Sequence, residues 1–235
     1  MSFVPYREAR KARRRPLDKQ RIAAAALDLL DEVGLEALTM RRLAERLGVK
    51  AASLYRHVRD KDELLVLLAD EISGTIPLAN PEGPWKERLA EIGRNFRRGA
   101  AAHRDAARLL AGTAPFGPRR LRHIEVALSV LRSAGLSPHH AARVAYHLNN
   151  FVTEFAADEA RYTEAARASG SRAKMLATAK RHFRSLPASE FPTIVELADH
   201  LTEDDPEGLF QLGLDVWIQG IERLARKAQL AAKRQ

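Results

Sequence analysis

Between Thr39 and Leu64 the chain reads TMRRLAERLGVKAASLYRHVRDKDEL, a run rich in groups that recognise nucleic acid. An arginine such as Arg56 can donate two parallel hydrogen bonds to guanine O6 and N7. Alanines such as Ala51 and Ala52 can pack on a thymine methyl. The hydroxyls of Thr39, Ser53 and Tyr55, and the cations Arg41, Lys50 and Lys61, can reach phosphate oxygens, and His57 adds a further polar edge. These ten residues are the candidate DNA-binding set. The competing reading is that they are only the wet side of a small helical packing unit.

The elements needed to position them are legible nearby. Asp18 can cap a first helix with Ile22, Ala25, Ala26, Leu29, Leu30 and Val33 at helical spacing, stopped at Gly34. Thr39 can cap a second helix, Met40 to Leu47, closed by Gly48. A short third helix is predicted from Ala51 to His57, with Leu54 inward and Val58 just beyond its end. Asp60, with Glu63 three residues on, can cap a fourth helix running toward Ser73. Two short helices joined by a tight turn and backed by a longer one form a helix-turn-helix, whose second helix enters a major groove about 12 Å wide.

Composition agrees and excludes alternatives. The chain of 235 residues is 46% hydrophobic, 6% aromatic and rich in helix formers. It lacks cysteine, so disulfides, thiolate metal sites and cysteine nucleophiles are excluded. No apolar run approaches the roughly 20 residues of a membrane span, and the basic start lacks the apolar core of a secretory signal, so a cytoplasmic location is expected. The net charge is +9, and residues 1–62 hold 15 Lys/Arg against 9 Asp/Glu, a surplus of 6. Residues 1–16, with Arg7, Arg10, Lys11, Arg13, Arg14 and Arg15, read as a disordered basic arm, able to follow phosphates or enter a minor groove, or serving only solubility. Helical patterns recur from Trp85 to Ala102, over a shorter stretch broken near Gly112, from Arg119 to Ala134, from Ser137 to about Arg161 and from Pro206 to Ala231. Residues 162–205 read as polar and broken by Pro187, Pro192 and, at their end, Pro206. His139, His140 and His147 share a helix without an i, i+4 pair, so a metal site there is disfavoured. No acid–base, nucleophile or metal set converges, which excludes an enzyme.

The 48 residues from Leu17 to Leu64 resemble the N-terminal domain of the TetR family of bacterial transcription regulators, through A…LL…GL…LT, LA…LGV and LYRHV..KDEL. Lys50 departs from the pattern, standing where many members have a capping Ser or Thr. The segments WKERLAEIGRNFRRGAAAHRDAARLLAGTAP and EGLFQLGLDVWIQGIERL also resemble the tetracycline-repressor branch of that family. That resemblance implies an effector pocket in each subunit and a dimer closed by a four-helix bundle from the helices near 137–160 and 206–228. It also implies that Leu110 occupies the position of a metal-ligating His, and Ile92 that of a drug-binding Asn. Phe96 and Thr113 match pocket positions, and Asp158 stands in place of a metal-side Glu. Aliphatic side chains cannot ligate a hard cation, so the resemblance with these departures points to a largely apolar, metal-free effector.

The expectation is thus an all-α protein: an arm over 1–16, a helix-turn-helix domain over 17–62, and a ligand-binding and dimerisation domain over 63–235. Its partners are double-stranded operator DNA, a small-molecule effector and a second copy of itself, with no cofactor, no metal and no membrane. The expected effector contacts are Ile92, Phe96, Leu110, Thr113, Phe116, His147 and Asn150. The alternative is an architectural nucleic-acid-binding protein without effector control.

Overall fold

A computed structural model describes residues 16–169 and 171–232 of the chain; the expected arm over 1–16 lies outside this range apart from Pro16. Among the described residues there is no strand. The helices are α1 (Lys19–Ala37), α2 (Met40–Leu47), α3 (Ala51–Tyr55), α4 (Lys61–Thr75), α5 (Trp85–Ala101), α6 (Ala106–Gly112), α7 (Pro118–Ser133), α8 (Pro138–Ser169), α9 (Arg172–Ser185), α10 (Pro192–Glu196) and α11 (Pro206–Ala232), with a 3-10 turn at His200–Thr202.

Three of the first four helices, α1, α2 and α4, begin where local chemistry dictates. Asp18, Thr39 and Asp60 each accept a hydrogen bond from the backbone N–H three residues on, at 2.7, 3.2 and 2.8 Å. Gly34 breaks α1 with φ 78°, a left-handed conformation that a side chain would strain. The turn leaves the Leu35 N–H free to donate to Asp105 Oδ2 at 2.7 Å. Helix α3 is two residues shorter than predicted: Arg56 and His57 form a turn in which the His57 and Val58 N–H groups both donate to the Leu54 carbonyl. The fully buried Val58 draws the chain inward and ends the helix.

Two apolar clusters organise the molecule. The first joins Ile22 and Leu30 of α1, Leu43 of α2, Leu54 of α3 and Leu64, Leu68 and Ile72 of α4 to Leu109 and Leu110 of α6. The second joins Leu89 of α5, Val130 and Leu131 of α7, Leu148 of α8, and Phe210 and Leu214 of α11, and Phe96 packs against both. Arg97 fastens the second cluster. Its guanidinium meets Glu159 with two hydrogen bonds of 2.7 Å and Glu207 with one of 2.8 Å, and lies over the rings of Phe155 and Phe210.

The segment expected to be broken, 162–205, is a correction. Helix α8 continues to Ser169, and α9, α10 and the 3-10 turn follow. Helix α9 has no buried residue, so the apolar stripe that marks a core helix is weak there. Its apolar residues Met175, Leu176, Ala179 and Phe183 are half-buried, and ion pairs add to them: Arg172 with Asp204, and Lys180 and Arg184 with Asp199.

The start of α4 is tied to that of α1 through Glu63, whose carboxylate accepts from the Arg59 N–H at 2.9 Å, Arg59 Nε at 3.0 Å and Lys19 Nζ at 3.0 Å. The backbone donor above all, then Lys19 and the Arg59 side chain, holds its pKa at about 2. A folded pKa below the unfolded value contributes stability that is complete above the ordinary carboxylate range and lost as pH falls through it toward 2. Glu63→Gln should destabilise the helix-turn-helix by about 1 kcal/mol at neutral pH, in the range of a lost cap. Thermal melts from pH 7 to pH 3 should show the wild type converging on the variant; a constant gap would refute the assignment.

Candidate nucleic-acid interface and effector region

Helix α3 presents its polar side because a single residue, Leu54, holds its inner side in the core at full burial. Ala51, Ala52, Tyr55 and Arg56 are exposed, and Ser53 and His57 are half-buried beside them. Arg56 Nη2 lies 3.4 Å from Ser53 Oγ, a weak contact that leaves the guanidinium available. Lys50 sits at the N-cap of α3 with no side-chain cap, so the first N–H groups of α3 lack the usual acceptor. Lys61 opens α4, and neither Lys50 nor Lys61 has an ion-pair partner among the described residues. Arg41 faces Glu45 at 3.6 Å, with both side chains exposed, a pairing water screens almost fully. Thr39 is exposed while its hydroxyl serves as the cap of α2. All ten candidates therefore lie on or beside the outer rim of the α2–α3 unit. Arg42 and Arg59, outside the candidate set, share it: Arg42 Nη1 donates to the Ala37 carbonyl at 3.2 Å, and Arg59 pairs with Glu63. The signal for Arg59 was the carboxylate four residues later.

The seven expected effector contacts disperse. Ile92 and Phe96 are half-buried on α5, Ile92 against the second cluster and Phe96 against both. Leu110 is fully packed in the first cluster. The Thr113 hydroxyl donates to the Leu109 carbonyl at 2.8 Å and accepts from Arg120 Nη1 at 2.8 Å, so its polar capacity is in use. Phe116 is 77% exposed in the α6–α7 connection. His147 and Asn150 are exposed on α8, and the His147 ring stacks on Trp217 of α11 at 6.2 Å between centroids. That region of α8 also carries the exposed Tyr146, and α11 carries the exposed Leu209, Leu212 and Val216. In the single chain, then, Ile92, Phe96, Leu110 and Thr113 lie around α5 and α6, whereas Phe116, His147 and Asn150 face outward. A cavity of about 280 Å³ lies between Val144 of α8 and Trp217, Ile221 and Leu224 of α11. A wider groove of about 1160 Å³ runs along the α5–α6 junction and α8, past Asp31, His103 and Glu154. None of the seven residues lines either space.

Residues 22–68 match the family of bacterial regulatory proteins named after tetR, and residues 76–225 match the tetracyclin repressor-like C-terminal domain. The class A tetracycline repressor protein from transposon 1721 of Escherichia coli is 32% identical over 213 residues, which cover 88% of this chain and 91% of the relative. Apo ActR of Streptomyces coelicolor superposes with a TM-score of 0.82 at 37% identity, covering 91% of this chain and 98% of that one. ActR in complex with actinorhodin gives 0.81 at 38% identity, covering 88% and 96%. Together with the exposed cations Lys50 and Arg56 that flank α3, these matches establish that the chain belongs to the TetR family and is a ligand-responsive, DNA-binding transcription regulator, not an enzyme.

Proposed function

We propose that the protein is a dimeric repressor that holds a palindromic operator through the α2–α3 unit of each subunit and is released by a small, largely apolar, metal-free effector. The observation that carries this reading is the continuity of α4. Its first residue, Lys61, stands beside the recognition helix, and Leu64, Leu68 and Ile72 pack in one cluster with Leu54 of α3 and Leu110 of α6. An effector seated against α5 and α6 therefore acts on the same rigid element that sets the recognition helix. The aliphatic Leu110, which the resemblance sets where the tetracycline-repressor branch has a metal-ligating His, supports the metal-free character. The exposed Tyr146, Leu209, Leu212 and Val216 support a dimer closed by α8 and α11. In such a dimer His147 and Asn150 lie beside the subunit boundary, where an effector can meet them together with partner residues.

The DNA half of this reading is tested on a duplex selected by the wild-type protein from a random library. Arg56→Ala should weaken binding by about 1–3 kcal/mol and relax the preference at one base position. Lys61→Ala should weaken binding to all sequences alike and reduce the slope of log affinity against log salt by about one. Unchanged affinity in both variants would remove these residues from the interface.

The effector half is tested with actinorhodin, seen in one ActR complex, and with whatever compounds mass spectrometry finds released from the denatured protein. Linkage requires operator DNA to weaken effector binding by the factor by which effector weakens DNA binding, typically about 5–150-fold. EDTA should change neither affinity. Chelator-sensitive binding would overturn the metal-free site. A bound compound whose affinity ignores DNA would leave an architectural DNA-binding protein without effector control.

A further inference from the structure

Arg120, near the start of α7, is 6% exposed, and its guanidinium has no carboxylate partner among the described residues. Its acceptors are the Leu110 carbonyl at 2.5 Å, the Thr113 carbonyl at 3.1 Å and the Thr113 hydroxyl at 2.8 Å. These atoms close α6, whose last carbonyls have no intrahelical partner and form the negative end of its dipole. Burial pushes the guanidinium below its ordinary pKa, with the charge of Asp70 pulling the other way. A buried cation held by a few carbonyl and hydroxyl oxygens is stable only while those oxygens stay in place.

The backbone of the same residue is bound to a different helix. The N–H groups of Arg119 and Arg120 both donate to Oδ1 of the buried Asp70 on α4, at 2.8 and 3.0 Å. The N-cap position of α7 is Gly117, which has no side chain to serve, so α7 is capped from α4. A side chain at 117 is also excluded, because its Cβ would lie 2.1 Å from that carboxylate oxygen. An ion pair from Arg119 to Glu71 and a contact of 2.9 Å between His123 Nε2 and the Ser73 carbonyl extend the seam along α4.

We propose that Arg120 is the positioning residue that couples the end of α6 to α4: its side chain reads the last turn of α6 and its main chain is clamped to Asp70. Displacement of Leu110 and Thr113 removes all three acceptors from a buried charge at once. The start of α7 must then follow α6, drawing Asp70 with it. The inference rests on the reading that effectors act around α5 and α6, and it names the part through which they do so.

The test needs no effector. Hydrogen exchange is followed in the full-length protein with and without the selected duplex. In the wild type, DNA should slow exchange over residues 109–123 by about threefold or more, because coupling between sites is reciprocal. Arg120→Met should bind the duplex within about threefold of wild type yet lose that response. A merely structural role would raise exchange with and without DNA alike and leave the response intact. A response that survives in Arg120→Met, or that the wild type lacks, overturns the proposal. Should Arg120→Met not fold, Asp70→Asn keeps the side-chain contacts of Arg120 to α6 and weakens the clamp on α4; its response should fall by about half or more, and an undiminished one overturns the proposal equally. Failure of the effector reading would appear separately, as DNA binding insensitive to every bound compound, with the exchange response unchanged.

Discussion

Leu54 of the recognition helix and Leu110 of α6 are buried in one continuous apolar cluster, with Leu64, Leu68 and Ile72 of α4 between them. The rest of the structure depends on that sharing. Protein interiors are packed as densely as organic crystals, so a helix wedged between two others cannot shift by a fraction of an ångström without repacking both. Packed elements of this kind move between discrete arrangements rather than deforming smoothly. Residues that read DNA and residues beside the effector region are therefore parts of one mechanical body, although the sequence separates them by more than fifty positions.

Polar groups determine how that body is held at each end. At the DNA end, Asp60 and Glu63 cap α4 and draw in Arg59 and Lys19. At the far end, Asp70, Glu71 and Ser73 meet the start of α7. Between them Leu64, Leu68 and Ile72 pack the apolar side of α4 into the first cluster. The second cluster is restrained differently, by Arg97 clasping Glu159 and Glu207 beneath two aromatic rings. That clasp joins α5, α8 and α11, whereas α6 is held against α4 by the first cluster.

The sequence made the DNA-binding end legible because the starts of α1, α2 and α4 follow a local rule. Asp18, Thr39 and Asp60 each bond the N–H three residues later, as their spacing implied. The end of α3 was missed by two residues because burial of Val58, a tertiary effect, overrode the helical pattern. The helices after Thr163 were missed for a related reason: α9 is bound by ion pairs to Asp199 and Asp204, which lie across two prolines in sequence. In the effector region, family resemblance supplied positions but not surroundings. Leu110 and Thr113 do lie together at the end of α6, yet Phe116, His147 and Asn150 point away in the single chain. Arg120 was invisible, since PRRLR reads as wet surface charge until folding places Asp70 and the end of α6 around it.

The dimensions of α4 explain why modest rearrangement suffices for control. A helix of 15 residues is about 22 Å long. A tilt of about 5° about Asp70 therefore carries Lys61, nine residues and about 14 Å away, through about 1 Å, taking the same rise per residue. Hydrogen bonds to base edges weaken steeply over such a distance, whereas attraction between cations and phosphates falls only slowly. On the proposed reading, in which Arg56 meets bases and Lys50 and Lys61 meet phosphates, tilting α4 would remove the first contacts while leaving the second close to the backbone. In a dimer both α3 helices must also fit grooves about 34–36 Å apart, so displacement in either subunit spoils the register of the pair. Control by this route acts on the preference for one sequence over others more than on affinity for DNA as a polyanion, and it does so without unfolding either apolar cluster.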